Sequence, residues 1–352
     1  MEPTRNKIIA DFLAHNSDQS TQFTSPDQTL RRRQYRAQNP VEIAAMKCMD
    51  GRINLPLITG FPIGIIRPFR NLGGKFDIGG HFGELLLDWV LRAVAAGKDS
   101  IVLVTYHWSR GAVERGCKGF HCEVDDAIAY TQDLVHDVEE VFGAGHEVVY
   151  PVQVGIETDE DALVFHGSGK KLDLSEMSSD DRDTLRIALE SLYPDMKRRM
   201  IESLVNLCVG NIRHISAIRK AARPIADINH KETMLGVGPG FNWFHLPNQM
   251  LIVGPYSYDL AEPIAVAGKI LLNNINSGSI PKEDGCVLLT SATYWNEGGP
   301  EKARATMKAR SLMRFAQATL KEKVPELVPY LNFGAGILNE NTILFTPIDF
   351  EQ

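Results

Sequence analysis

Ile101-Val102-Leu103-Val104-Thr105-Tyr106-His107 opens as a continuous apolar run and ends on a histidine. A strand that is apolar at every position has to be covered on both faces, the condition of a central strand in a parallel sheet. The flanking segments agree. Over His81 to Ala96, the apolar residues Phe82, Leu85, Leu86, Trp89, Val90 and Val94 recur every third or fourth position, the period of a helix with one buried face. Ile43 to Cys48, Gly64 to Phe69 and Val148 to Val152 are further strand-like runs, and Glu123 to Phe142 is helical. This strand–helix alternation predicts an α/β fold with a parallel-core sheet flanked by helices.

Composition narrows the function classes. Of the 352 residues 44% are hydrophobic, enough for a sizeable core, and the formal net charge is −7, which argues against a nucleic-acid surface. The basic clusters Arg31-Arg32-Arg33 and Lys197-Arg198-Arg199 read as solvated helix faces. No apolar run reaches the ~18–20 residues of a membrane span, so no integral membrane segment is expected. The polar N-terminus lacks the apolar core of a signal peptide, so a cytoplasmic protein is expected. The five cysteines, an odd number in a long chain, suit a reducing compartment and thiols used for metal binding or packing.

Four segments are expected. Residues 1–39 form an N-terminal arm, loosely ordered over 1–30, and residues 40–155 form the first α/β domain. Residues 156–224 form an insertion, with a hairpin around Gly167-Ser168-Gly169 followed by two helices. Residues 225–352 repeat the first pattern: Ile225 to Lys231 lines up with Met46 to Arg52, Cys286 to Thr290 with Ser100 to Val104, and the helices from Ala261 and Glu301 with those from His81 and Glu123. In that register Asp227, Asn229 and Lys231 stand where Cys48, Asp50 and Arg52 stand in the first copy. The second copy is therefore a degenerate duplicate, and the chain is a pseudo-dimer with one working site.

The chemistry is concentrated in Cys48-Met49-Asp50-Gly51-Arg52, at the end of an apolar strand. In an extended chain, alternate side chains share a face about 6.8 Å apart, so one face presents a thiol, a carboxylate and a guanidinium. His107 ends the central strand, and ligands of open parallel sheets bind beyond the carboxyl ends of the strands. Two thiolates and one imidazole with an open fourth position match a catalytic Cys₂His zinc site. Cys48 and His107 supply two ligands. Cys122 is favoured as the third because it abuts a helix start, which favours thiolate. Cys117, in the loop Gly116-Cys117-Lys118-Gly119, is the alternative. His81 and His121 read as loop or packing residues, and Cys208 and Cys286 as small core residues.

These residues resemble the β-class carbonic anhydrases. That family carries Cys-x-Asp-x-Arg on its first core strand, here Cys48, Asp50 and Arg52. An Arg-Asn-x-Gly/Ala segment follows, here Arg70-Asn71-Leu72-Gly73, then a zinc-binding His at a strand end, here His107, and a last Cys ligand, here Cys122. The resemblance covers residues 40–150 well and 225–350 weakly. One departure stands out: the common β-class places its Cys three residues after the His, and this chain does not. A longer gap and a fused pair with one degenerate half are seen in divergent branches, which include the carboxysomal shell carbonic anhydrase and the large cytoplasmic subunits of bacterial inorganic-carbon uptake systems.

The resemblance implies a zinc lyase that hydrates CO₂ reversibly to bicarbonate. Its zinc-bound hydroxide would be oriented by Asp50, with Arg52 holding Asp50 ionised. His81 or His121 would move the proton. Because β-class sites lie at a dimer interface, the second half of the chain would supply the other wall, with Phe241, Trp243, Phe244, Gln249 and Tyr256 as candidate lining or core residues. Two other readings stand beside it: a non-catalytic or gated zinc protein with Asp50 as the fourth ligand, and a CS₂ or COS hydrolase. A homo-oligomer or a partner subunit is compatible with each.

Overall fold

The computed structural model describes residues 3–224, 228–244, 246 and 249–350. The strands of these residues form two mixed, mostly parallel sheets. The first has the order β2-β1-β3-β4-β5-β6, with β1 Val41–Cys48, β2 Ile66–Asn71, β3 Asp99–Trp108, β4 Val149–Glu157, β5 Ala162–Gly167 and β6 Lys170–Asp173. The second has the order β11-β10-β9-β7-β8, with β7 Met234–Val237, β8 Met250–Val253, β9 Cys286–Tyr294, β10 Leu331–Asn339 and β11 Leu344–Ile348. In each sheet the first four strands in sequence run parallel and the fifth turns back antiparallel on the fourth. The apolar run at 101–104 lies at the centre of β3, fully buried as a strand covered on both faces should be. The amphipathic segments form the helices His81–Ala95, Val124–Phe142, Ala261–Asn276 and Pro300–Lys323. None of the described helices is long and apolar enough to cross a membrane.

The two sheets are copies of one core, but in a different register from the one the sequence suggested. Strands β4 and β10 each span nine residues and turn through four more into an antiparallel partner. Both turns end on a left-handed non-glycine residue, Asp161 at φ 57° and Ile343 at φ 53°. With β4 laid on β10, the cross-strand pairs place Thr293 at the position of His107. Val104 faces Met46 and Thr290 faces Val237. Pro239, Phe241 and Trp243 therefore stand where Cys48, Asp50 and Arg52 stand. The expected echo at Ile225 to Lys231 lies ahead of β7, and residues 225–227 are outside the described residues. The second copy still offers no ligand set at the equivalent place, because a proline and two aromatic rings occupy it.

Two expectations about the flanks are corrected. Residues 156–224 are not wholly an insertion: the boundary at 155 falls inside β4, and β5 and β6 extend the first sheet. The hairpin itself forms as expected, pairing Gly167 with Lys170. The N-terminal segment is not loose but forms the helices Pro3–Thr24 and Pro26–Gln38. The first helix buries a narrow stripe, Phe12, Asn16, Gln19 and Ser20, too polar to stand out as an apolar face. Asn16 serves the edge strand β11, accepting from Phe345 N at 2.7 Å and donating to Ile343 O at 2.8 Å. Phe12 packs its ring against Phe241, Phe244 and Phe345. Phe12→Ala is expected to lower stability by about 3–5 kcal/mol, read as a lower midpoint in chemical denaturation. An unchanged midpoint would show that this helix is not part of the cooperative core.

Candidate metal centre

Parallel pairing of β1 with β3 brings Cys48 and His107 to the same carboxyl edge of the first sheet. The loop after β3 supplies the third group. Cys48, His107 and Cys117 place their ligand atoms within 4.8 Å of one another, and all three are buried. Among the described residues this is the one such group. The third thiol is therefore that of Cys117 and not Cys122. Cys122 adopts φ 69°, its side chain is half-buried, and its Sγ lies 3.5 Å from Lys118 Nζ and 3.9 Å from Glu114 O. The helix begins only at Val124, after a short 3₁₀ turn that carries Cys122 away from the group.

The loop is fixed by a close backbone approach. A Cβ on Gly119 would lie 2.6 Å from the Cα of Gly73, so only glycine fits there. Gly73 itself takes φ 65°. The Arg70-Asn71-Leu72-Gly73 segment thus acts through its backbone, seating the loop that delivers Cys117. Arg70 is buried and donates to Asp50 O and Ile53 O, both at 2.9 Å.

The three side chains fit a zinc ion. Two thiolates at about 2.3 Å from a tetrahedral zinc stand about 3.8 Å apart, and Cys48 Sγ and Cys117 Sγ are separated by 3.8 Å. His107 is buried, yet neither ring nitrogen has a hydrogen-bond partner. A buried imidazole without partners is costly, and a metal would satisfy one nitrogen. The hydrogen bond between the thiols pulls Cys48 well below its ordinary pKa and pushes Cys117 well above it. A divalent cation would draw both groups to the thiolate.

Asp50 lies outside this group and is gripped by Arg52. Arg52 Nε is 3.0 Å from Oδ1, Nη2 is 2.5 Å from Oδ2, and the Arg52 backbone N–H adds a bond to Oδ1 at 2.9 Å. Burial alone would raise the Asp50 pKa, but the charge and hydrogen bonds of Arg52 outweigh it and hold the carboxyl far below the usual range. Arg52 also donates from Nη1 to Ile228 O at 2.9 Å and from Nη2 to Arg115 O at 2.8 Å, tying the Cys117 loop and the second unit to the fork.

No family model matches the chain. A carboxysome shell carbonic anhydrase of Prochlorococcus marinus (strain MIT 9313) is 24% identical over 267 residues, 65% of this chain and 51% of that protein. A carboxysome shell carbonic anhydrase of Prochlorococcus marinus subsp. pastoris (strain CCMP1986 / NIES-2087 / MED4) is 24% identical over 239 residues, 57% of this chain and 46% of that protein. The chain is carbonic-anhydrase-like at the level of superfamily. It spans about half the length of these curated relatives.

Other residues singled out in this carbonic-anhydrase-like chain lie elsewhere. His81 is exposed and pairs with Glu84, and His121 is exposed at the turn before Cys122. Phe241 and Phe244 belong to the aromatic cluster around Phe12, Tyr256 packs on Phe69, Phe76 and Phe82, and Trp243 donates to Glu340. Gln249 is an exposed turn residue. Cys208 and Cys286 are buried in the core. Sequence reasoning missed His230 and Glu232, which reach the fork from the second unit. Their signal was the spacing His-x-Glu just before an apolar strand, obscured by aligning His230 with Gly51.

Proposed function

We propose that this chain hydrates CO₂ reversibly to bicarbonate with one zinc ion held by Cys48, His107 and Cys117. The observation that carries the reading is the 3.8 Å spacing of two thiols around a buried, partnerless imidazole, beside an aspartate already engaged by arginine. Zinc in a Cys₂His set supplies the Lewis acidity that makes water nucleophilic near neutral pH. Asp50, kept ionised, accepts a hydrogen bond from the nucleophile and orients it. Arg52 engages both oxygens of Asp50 and would keep it from serving as a fourth ligand, which weighs against the closed, non-catalytic arrangement. Cys48, Asp50, His107 and Cys117 are each 4% exposed or less, so the site suits a small neutral substrate.

Among the described residues the second unit offers no ligand set at the equivalent place. One zinc per chain is the expected stoichiometry. Stopped-flow CO₂ hydration by zinc-loaded protein is expected, with loss on chelation and recovery on adding zinc back. A protein carrying one zinc per chain yet inactive from acid to alkaline pH would overturn the assignment.

A further inference from the structure

His230 and Glu232 belong to the segment that leads into β7, yet they end at the Asp50–Arg52 fork. His230 Nε2 lies 3.1 Å from Arg52 Nη2, and His230 Nδ1 lies 2.7 Å from Glu232 Oε1. A guanidinium can only donate, and one N–H of Nη2 goes to Asp50, so Nε2 shares the other with Arg115 O in a three-centre bond; that leaves the ring proton on Nδ1, directed to Glu232. Glu232 is fully buried, and its other oxygen takes Asn274 Nδ2 at 3.3 Å. A buried carboxylate has to be paired. Here the cation that pairs with it is Arg52, reached through an imidazole whose tautomer the carboxylate fixes.

We propose that His230 is a positioning residue for CO₂ hydration, accepting from Arg52 so that the guanidinium stays aligned on Asp50, with Glu232 fixing the tautomer that allows it. The assignment rests on the function proposed above. On this reading the degenerate unit adds His230 and Ile228 O to the outer contacts of the orienting dyad, beside the first unit's own Arg115 O. The same Nη2 donates to Asp50 Oδ2 and faces His230, so a tilt of the guanidinium away from Asp50 strains both contacts.

Three substitutions separate positioning from packing. Gln at position 230 can place an amide oxygen where Nε2 stands and restore the bond from Arg52. Asn reaches only the position of Nδ1 and restores the contact to Glu232 alone. His230→Ala is expected to lower kcat about 10²-fold, with KM for CO₂ and bound zinc unchanged. His230→Gln is expected to recover most of kcat, and His230→Asn little. Crystal structures of the zinc-loaded variants should show the Arg52–Asp50 fork displaced in Ala and Asn and restored in Gln. Equal rescue by Gln and Asn, or an intact fork in His230→Ala, would overturn the proposal. If wild type hydrates no CO₂, the function reading fails by itself, and the fork geometry in the Ala and Gln variants still decides this one.

Discussion

Cys117→Ser is expected to abolish both zinc retention and CO₂ hydration, while Cys122→Ser leaves both near wild type. Oxygen is a poorer zinc ligand than thiolate at a soft site, and two remaining ligands cannot enclose the ion. Loss of one of three ligands should weaken zinc by at least about 10³-fold. Metal analysis after dialysis against a weak chelator reads this directly, and stopped flow reads the activity. Cys117 is buried against Cys48, so the serine leaves the small core contacts largely in place and the fold intact. Cys122 has its Sγ beside Lys118 Nζ and the backbone oxygen of Glu114, and it is not part of the ligand group found among the described residues. If Cys122→Ser lost zinc and Cys117→Ser kept it, the loop would have to rearrange on binding metal, and Cys117 would not be the third ligand.

The sequence made the first sheet legible because its strands carry the signature of burial. The run at 101–104 needs cover on both faces, and the helices around it show a clear 3–4 period. The pair Cys48 and His107 follows from strand ends alone, since parallel neighbours deliver their carboxyl termini to one edge. The third ligand was not legible in this way. Cys117 lies in an irregular loop whose course depends on long-range contacts, among them Gly119 on Gly73, the bond from Arg52 to Arg115 O and the pairing of Arg115 with Asp159. A helix start was the natural place to seek a thiolate, but a left-handed residue and a 3₁₀ turn separate Cys122 from the group. The repeat was visible in element order and misplaced in register, because β7 spans only four residues and offers little pattern to align. The N-terminal helices were hidden for a different reason. Asn16 does for β11 what an apolar side chain usually does for a core, by hydrogen bonds to backbone, and hydrophobic periodicity does not register that.

Arg52→Ala is the second large effect expected, and its cause is the charge left behind. Asp50 is 4% exposed, and Arg52 satisfies both of its oxygens. Removing one partner of a buried pair typically costs about 3–5 kcal/mol, because the other charge stays buried and unpaired. The freed carboxylate would be drawn to the cation bound beside it. Arg52→Ala should therefore keep zinc, lose CO₂ hydration by about 10³-fold, and show Asp50 ligating the metal in a crystal structure. In the metal-free protein, where no zinc can take up the carboxylate, the double variant Arg52→Ala/Asp50→Asn removes the stranded charge. It should regain much of the lost stability in chemical denaturation, while its zinc-loaded form stays inactive, since Asn cannot accept the hydrogen bond as an ionised carboxylate does. That opposition, stability recovered and activity not, separates an orienting dyad from a merely structural ion pair. A double variant no more stable than Arg52→Ala would show that the arginine stabilises the fold chiefly through its bonds to Ile228 O and Arg115 O, and that Asp50 does not need it to remain ionised.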